Sequence, residues 1–516
     1  MLKLNCDGAF NDRLGHYGGG AILRDEFGVL VAAMGEAYSQ KGTVCFNELL
    51  AIKLGLEMVL ERRSIGVVVE SDSLEAVRLV NGDEQCFNVE GCWWKRFNYC
   101  RPPGSFSTTS SWDKCYCIAA SLEVEDEWKT AATTDPLTLN VMDFGARGNG
   151  EDDDSQAFLK AWGALCGSND GRTPSLLIPK DRAFLLNPLV FEGPCEPKTL
   201  NFLLQGRLVA PDYNSKAWRS DKEKWVQFSD VDGLTISGGG LGVIDGKGSD
   251  WWQACDKSDC DRPAALEIHK CDDLRLNGVT HINSAKAHIK IFNCNRVQVS
   301  GLLIWAPEES PNTDGIQISS STNVNIENSA IGTGDDCIAI ITGSSQIQVT
   351  GVRCGPGHGI SIGSLWKDGA YATVEDVNVR NCSLRGTQNG LRIKTWQGGK
   401  GYARKITYEG IRLIGSKNPI IIDQHYVDKG LSRPEEADDH KSSVQVSDVT
   451  YRGVFGSSAD EVAINLNCAG GRLSCRNIVM VNIHITSSLA GQKTSAYCNN
   501  GHGTATLATP TSHASH

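Results

Sequence analysis

Arg296-Val-Gln-Val-Ser-Gly301, Asn323-Val-Asn-Ile-Glu-Asn328 and Gln346-Ile-Gln-Val-Thr-Gly351 are three copies of one six-residue strand. Each has apolar side chains at its second and fourth positions and closes on Gly or Asn. The pattern continues in both directions. Gly233-Leu-Thr-Ile-Ser-Gly238 and Asp273-Leu-Arg-Leu-Asn-Gly278 precede these copies. Asp376-Val-Asn-Val-Arg-Asn381, Lys405-Ile-Thr-Tyr-Glu-Gly410, Asp448-Val-Thr-Tyr-Arg-Gly453 and Asn477-Ile-Val-Met-Val-Asn482 follow. The starts at 273, 296, 323, 346 and 376 are 23, 27, 23 and 30 residues apart. A strand recurring at this interval with no helix between copies predicts a parallel β-helix, each turn stacked on the last. A sandwich or jelly roll would also supply short strands, but not aligned copies of one rung.

A second ladder runs through the same region. Asp314-Gly-Ile-Gln-Ile318 aligns with Asp336-Cys-Ile-Ala-Ile340, His358-Gly-Ile-Ser-Ile362 and Asn389-Gly-Leu-Arg-Ile393. Side chains alternate along a strand, so Ile316, Ile338, Ile360 and Leu391 form one inward column. Ile318, Ile340, Ile362 and Ile393 form the next. The same register puts Asp314, Asp336 and His358 at equivalent places on rungs about 4.8 Å apart, with Asp335 beside Asp336. Carboxylates this close repel, so at least one should keep its proton. A protonated acid beside a carboxylate that activates water is what cleavage of a glycosidic bond needs. A single Asp here would be read as a turn cap or calcium ligand; three in register with a His favour catalysis. Arg392 and Lys394 lie one rung beyond His358 and suit an anionic sugar.

Composition limits the alternatives. The chain has 516 residues, enough for two domains, and a net charge of −11, which disfavours a general nucleic-acid surface. An anionic substrate then requires a locally basic site. No apolar run is long enough to span a membrane. Of the 19 Cys, the twelve in Cys166–Cys498 are scattered rather than paired as metal ligands, which predicts disulfides and an oxidising compartment. Yet the opening Met1-Leu2-Lys3-Leu4-Asn5-Cys6-Asp7 lacks the apolar core of a secretion signal.

The segments Asn312-Thr313-Asp314, Gly334-Asp335-Asp336-Cys337, Gly357-His358-Gly359 and Arg392-Ile393-Lys394 resemble, in order, the four signature motifs of the polygalacturonases. Flanking stretches match as well: Phe144-Gly145-Ala146 with Asp153 to Phe158, Ile244-Asp245-Gly246 with Trp251-Trp252, and Asn418 to Gln424 followed by Tyr426. The resemblance spans about residues 140–500. It implies a right-handed, pectin-lyase-like parallel β-helix and a secreted, monomeric cell-wall enzyme. That enzyme would cut α-1,4-galacturonosidic bonds of pectin with inversion and without metal or cofactor. It further implies that Asp335 is the general acid, that Asp314 and Asp336 activate water, and that His358 supports protonation of the acid. Asn312, Arg392, Lys394 and Tyr426 would contact the sugar. Cys337–Cys354 and Cys468–Cys475 are the preferred bridges. One departure is Val427, where the family usually has Cys; the loop after it also lacks one, so a disulfide is expected to be missing there. The rival readings are a calcium-dependent pectate lyase and a β-helix that binds pectin without cutting it.

Residues 1–86 are of another kind. Gly18 to Leu23 and Phe27 to Val31 predict a hairpin, Asn47 to Arg62 and Ser73 to Val80 predict helices, and Val67-Val68-Val69 predicts a strand. Asp7, Glu48 and Asp72 resemble the carboxylates of plant ribonuclease H-like domains, which hold Mg²⁺ for phosphodiester hydrolysis. The resemblance stops near Gln85, before the closing acid and helix. The expectation is a truncated, inactive α/β module with a vestigial Mg²⁺ site, nucleic acid being a partner only if it functions. A patternless linker over 87–137 would join it to the hydrolase domain at 138–516, where a secretion signal is expected.

Overall fold

The computed structural model describes residues 137–510, apart from 170, 220–221, 256–260, 367–370, 428–443 and 472–474, and, before residue 137, the backbone of five strands. Contacts divide the chain into two compact units, Met1–Ala132 and Thr133–His516.

In the first unit, Leu2–Asn11, His16–Arg24 and Leu30–Tyr38 form an antiparallel meander. Val67–Ser71 lies parallel to the first strand, and Lys95–Arg96 pairs with it antiparallel. The expected hairpin and the Val67 strand are both present, and Asp7 sits in the first strand opposite Gly20. Glu48, Asp72, both expected helices and, apart from Lys95–Arg96, the expected linker lie outside the described residues up to 136.

The second unit is a parallel β-helix whose ladders are all parallel. One coil shows the plan: Ser344–Thr350, then Arg353–Cys354, then Ile360–Leu365, after which Ala372–Arg380 starts the next. The first two faces merge into a 22-stranded sheet and the third is an 11-stranded sheet. The quoted repeats pair in the register expected of them: Val297 with Val324, Val324 with Ile347, Ile347 with Val377, Val377 with Ile406. These side chains are buried, and each contributes about 1.5–3 kcal/mol by leaving water.

The same repeats explain the corners. Arg296, Asn323, Gln346, Asp376, Lys405, Asp448 and Asn477, the first residue of successive copies, all adopt φ between 52° and 59°. Their last residues, including Asn328, Gly351 and Asn381, are left-handed as well. Each copy therefore begins and ends on a left-handed residue; the ladder skips the first of these and resumes at the next residue, on every rung alike. At the N-terminal end the helix Ser155–Cys166 buries Phe158, Ala161, Trp162 and Leu165, and Cys166 is bonded to Cys195. The expected bridges Cys337–Cys354 and Cys468–Cys475 are formed. Cys271, Cys294 and Cys382 are free and buried. Val427 is described, but the loop in which the further family Cys was found missing lies outside the described residues.

Candidate active site

The 11-stranded sheet carries the site. Ile316 pairs with Ile338, Ile338 with Ile360, Ile360 with Leu391 and Leu391 with Ile420. Asp314, Asp336 and His358 each stand two residues ahead of that row, at the corner where the chain enters the sheet. The expected column exists: the Gly315 N–H donates to the carbonyl of Asp336 at 2.8 Å, and the Cys337 N–H to the carbonyl of Gly359 at 2.9 Å. Gly334 is required just before the acids, because a Cβ there would run into the carbonyl of Ser310.

Asp336 is the anchor. Its Oδ1 accepts from Ser361 Oγ at 2.6 Å and Arg392 Nη2 at 2.5 Å, and its Oδ2 from Lys394 Nζ at 3.0 Å. Arg392 Nε also donates to Ser361 Oγ at 2.8 Å. Ala339, Ser361 and Arg392 form one outward column, yet all three are buried. Outward residues of a sheet are buried only when neighbouring segments wall them in, so this column is the floor of a cleft. The side chain of Asp336 is 2% exposed, against 17% for Asp335 and 32% for His358. Asp335 and His358 therefore face an incoming molecule, while Asp336 lies beneath its two cations.

Asp335 Oδ1 accepts from the His358 ring at 2.8 Å, and its Oδ2 accepts from the Asn312 amide at 3.4 Å. The Asp336 N–H lies between two carboxylates, 2.8 Å from Asp335 Oδ1 and 3.2 Å from Asp314 Oδ1. Burial pushes both neighbouring acids upward, but the outcomes differ. At Asp335 burial is outweighed by the hydrogen bond and charge of His358, with Lys394 and Arg392 adding to them, so it falls to about 2. At Asp314 burial is reinforced by Asp335 and Asp336 and only partly offset by Lys394, so it rises well above the carboxylate range. One acid of the three was expected to retain a proton. That acid is Asp314, and the resting Asp335 is ionised, which differs from the protonated state that the resemblance implied for it. The reason is local: Asp335 has the imidazole and Asp314 does not.

Tyr426 closes the far side, with Lys394 Nζ 5.3 Å from its ring centre and Trp396 edge-on at 6.3 Å. All eight residues expected at the site thus lie on one stretch of this sheet and its entry corners. The site also contains residues that motif reading passed over. Arg262, buried, donates to the carbonyls of Ala285 (3.1 Å) and Pro311 (2.6 Å) and to Asn312 Oδ1 (2.5 Å). By occupying the amide oxygen it turns the Asn312 N–H₂ toward Asp335. Asn312 is itself left-handed, at φ 56°. His288 holds Asp314 from behind: its N–H donates to the Asp314 carbonyl at 2.8 Å. Burial lowers its imidazole to about 4, so the ring is neutral and brings no charge to the acids. Arg262 is about fifty positions from Asn312 in sequence, and no local pattern marks it; Ser361 was legible only as a member of its column.

Asp335, Asp336 and His358 bring ligand atoms within 4.8 Å of one another. Asp336 already bonds two cations, Arg392 and Lys394, and a further positive charge there would be repelled by them.

Comparison with known proteins agrees with this geometry. Residues 166–509 match the family described as Glycosyl hydrolases family 28, and residues 5–95 match one described as Reverse transcriptase-like. A probable polygalacturonase of Arabidopsis thaliana is 47% identical over 380 residues, covering 73% of this chain and 80% of the relative. A polygalacturonase of Cryptomeria japonica is 40% identical over 375 residues, covering 71% and 70%. Among solved structures, the endo-xylogalacturonan hydrolase of Aspergillus tubingensis superposes with a TM-score of 0.62 at 24% identity, over 70% of this chain and 96% of that one. The polygalacturonase of Erwinia carotovora gives 0.56 at 22%, over 73% and 99%; at these identities the two speak for the fold. With a matched segment covering most of its length and relatives this similar, the chain belongs to the glycosyl hydrolases family 28.

Proposed function

We propose that the chain is a polygalacturonase, hydrolysing α-1,4-galacturonosidic bonds of pectin through Asp314, Asp335, Asp336 and His358. The observation that carries this is the buried cluster of Asp336, Ser361, Arg392 and Lys394 beside the partly exposed pair Asp335–His358. It fixes two cations beside three acids in a chain whose net charge is −11, and a uronate is the sugar that such a floor attracts.

The ligand-free electrostatics suggest how Asp335 becomes an acid. Arg392 and Lys394 help to hold Asp335 ionised. A sugar carboxylate that engages them neutralises this pull, and Asp335 then gains proton affinity, His358 being the neighbour at 2.8 Å able to supply the proton. Asp335 protonates the leaving oxygen, Asp336 accepts the proton of the attacking water, and Asp314 beside it orients that water. Asn312 and Tyr426 orient the sugar. The enzyme itself is secreted and acts in the cell wall, as the resemblance implies.

Reducing ends should appear from polygalacturonate in the presence of a chelator, with inversion detectable by NMR of the first product. Asp335→Asn should lower kcat by about 10²-fold or more. A folded protein without activity, or one that yields unsaturated, ultraviolet-absorbing ends, refutes the proposal.

A further inference from the structure

The cleft floor continues past the acids on the side away from Arg392. Lys290 pairs with Gln317 and Phe292 with Ser319, which puts both two rungs before the strand Ile338–Ile340 that follows Asp336. Both point outward, since Ile289 and Ile291 between them are buried. Lys290 therefore stands in the same outward column as Ala339, Ser361 and Arg392. It lies about four rungs from Arg392, roughly 19 Å, with Asp314 and Asp336 on the rungs between.

Three features set this place apart from an ordinary sheet surface. Phe292 is 41% exposed, an unusual position for a Phe. His269 stacks on it, ring centres 5.3 Å apart at 17°, and Ser229 Oγ lies 3.2 Å from His269 Nδ1, which holds the imidazole in that plane. Beside this platform, Lys290 is half-buried and among the described residues enters no salt bridge within 4.0 Å. Lys286 is close enough that the two ammonium groups, after burial, lower the Lys286 affinity for its proton. Glu267 occupies the next position in the column and is held by Gln227 at 3.0 Å, so the positive stretch ends there.

We propose that Lys290 and the Phe292–His269 pair form a distal subsite that takes one uronic-acid residue of the polymer, its carboxylate on Lys290 and its ring face on the aromatic platform. The inference rests on the polygalacturonase reading. It places the bond to be cut between two cationic flanks, Arg392 with Lys394 on one side and Lys290 on the other, and it favours chains long enough to reach both. Both groups are surface side chains, so their replacement leaves the fold intact; thermal unfolding checks this.

The test compares the full-length protein with Lys290→Gln and Phe292→Ala on a series of galacturonate oligomers and on a methyl-esterified series. For long acidic oligomers kcat/KM should fall roughly tenfold in each variant, while the shortest oligomer cleaved is hydrolysed at the parental rate. Lys290→Gln should make no difference on esterified chains, because the carboxylate is gone. Equal loss at every length, or no loss at any, overturns the subsite while leaving the activity itself in place. A parent protein that cleaves no galacturonate oligomer overturns the activity instead.

Discussion

At the level of single residues, two neighbouring acids are shifted in opposite directions. The folded protein raises Asp314 and lowers Asp335 to about 2. For a raised acid, the stabilising contribution is complete below the unfolded value near 4 and disappears as pH climbs through the folded one. For a lowered acid it is present above about 4 and disappears as pH falls toward 2. Asp314→Asn should therefore unfold at a higher temperature than the parent at pH 7 and lose that advantage at pH 3. Asp335→Asn should be less stable by about 2 kcal/mol at pH 7, converging with the parent near pH 2. Calorimetry across this range reads both, and parallel shifts in the two variants would contradict the assignment. Arg262 gives a second residue-level expectation. Lysine keeps its charge but not the planar fork that reaches Ala285, Pro311 and Asn312 together. Arg262→Lys should cut kcat by roughly tenfold to a hundredfold with KM changing less. It should also move the pH-rate limb set by Asp335 upward, since the Asn312 donor is no longer aimed at that carboxylate. Loss of stability with an unchanged pH profile would reduce Arg262 to a packing role.

The strand repeats show what was legible and what was not. Period-2 alternation and a recurrence of 23 to 30 residues sufficed for the β-helix, because each rung repeats the same physical problem of burying two side chains and turning a corner. The column of Asp314, Asp336 and His358 followed from the register. Which of its members holds a proton did not, since that depends on Lys394, Arg392 and the imidazole converging from later rungs of the ladder. Nor was it legible that Arg392 and Lys394 would be spent on Asp336 before any substrate arrives. The corners were visible as Gly and Asn but not as a rule, because Arg296 and Gln346 occupy the same left-handed conformation. Left-handed backbone costs an ordinary residue about 1 kcal/mol, and Asn tolerates it better. Gln346→Asn should thus raise stability by up to about 1 kcal/mol. Gly351→Ala, at φ 68° with its new Cβ 2.6 Å from Asn328 Oδ1, should lower it by about 1–2 kcal/mol. Chemical denaturation with m held constant distinguishes the pair.

For the molecule as a whole, the described elements that position the acids lie in the second unit. Among the described residues, the sheet carrying Asp314, Asp335, Asp336, His358, Arg392, Lys394 and Tyr426 has no strand from residues before 133. The helix Ser155–Cys166 covers the first coils, so the apolar interior is closed at that end by the unit's own residues. The Cys166–Cys195 bridge ties that helix to the coil beneath it. A chain starting at residue 133 should accordingly fold and hydrolyse polygalacturonate with kcat/KM within about twofold of the full-length protein, as expected when two sites share no residues. In the full-length protein, cleavage of an RNA–DNA hybrid with Mg²⁺ should be undetectable, and Asp7→Asn should leave both readouts unchanged; this tests the expectation that the first unit is an inactive module. Hybrid cleavage that Asp7→Asn abolishes would restore the first unit as a second enzyme. A fragment from 133 that folds but loses hydrolysis would mean that the first unit contributes to the cleft.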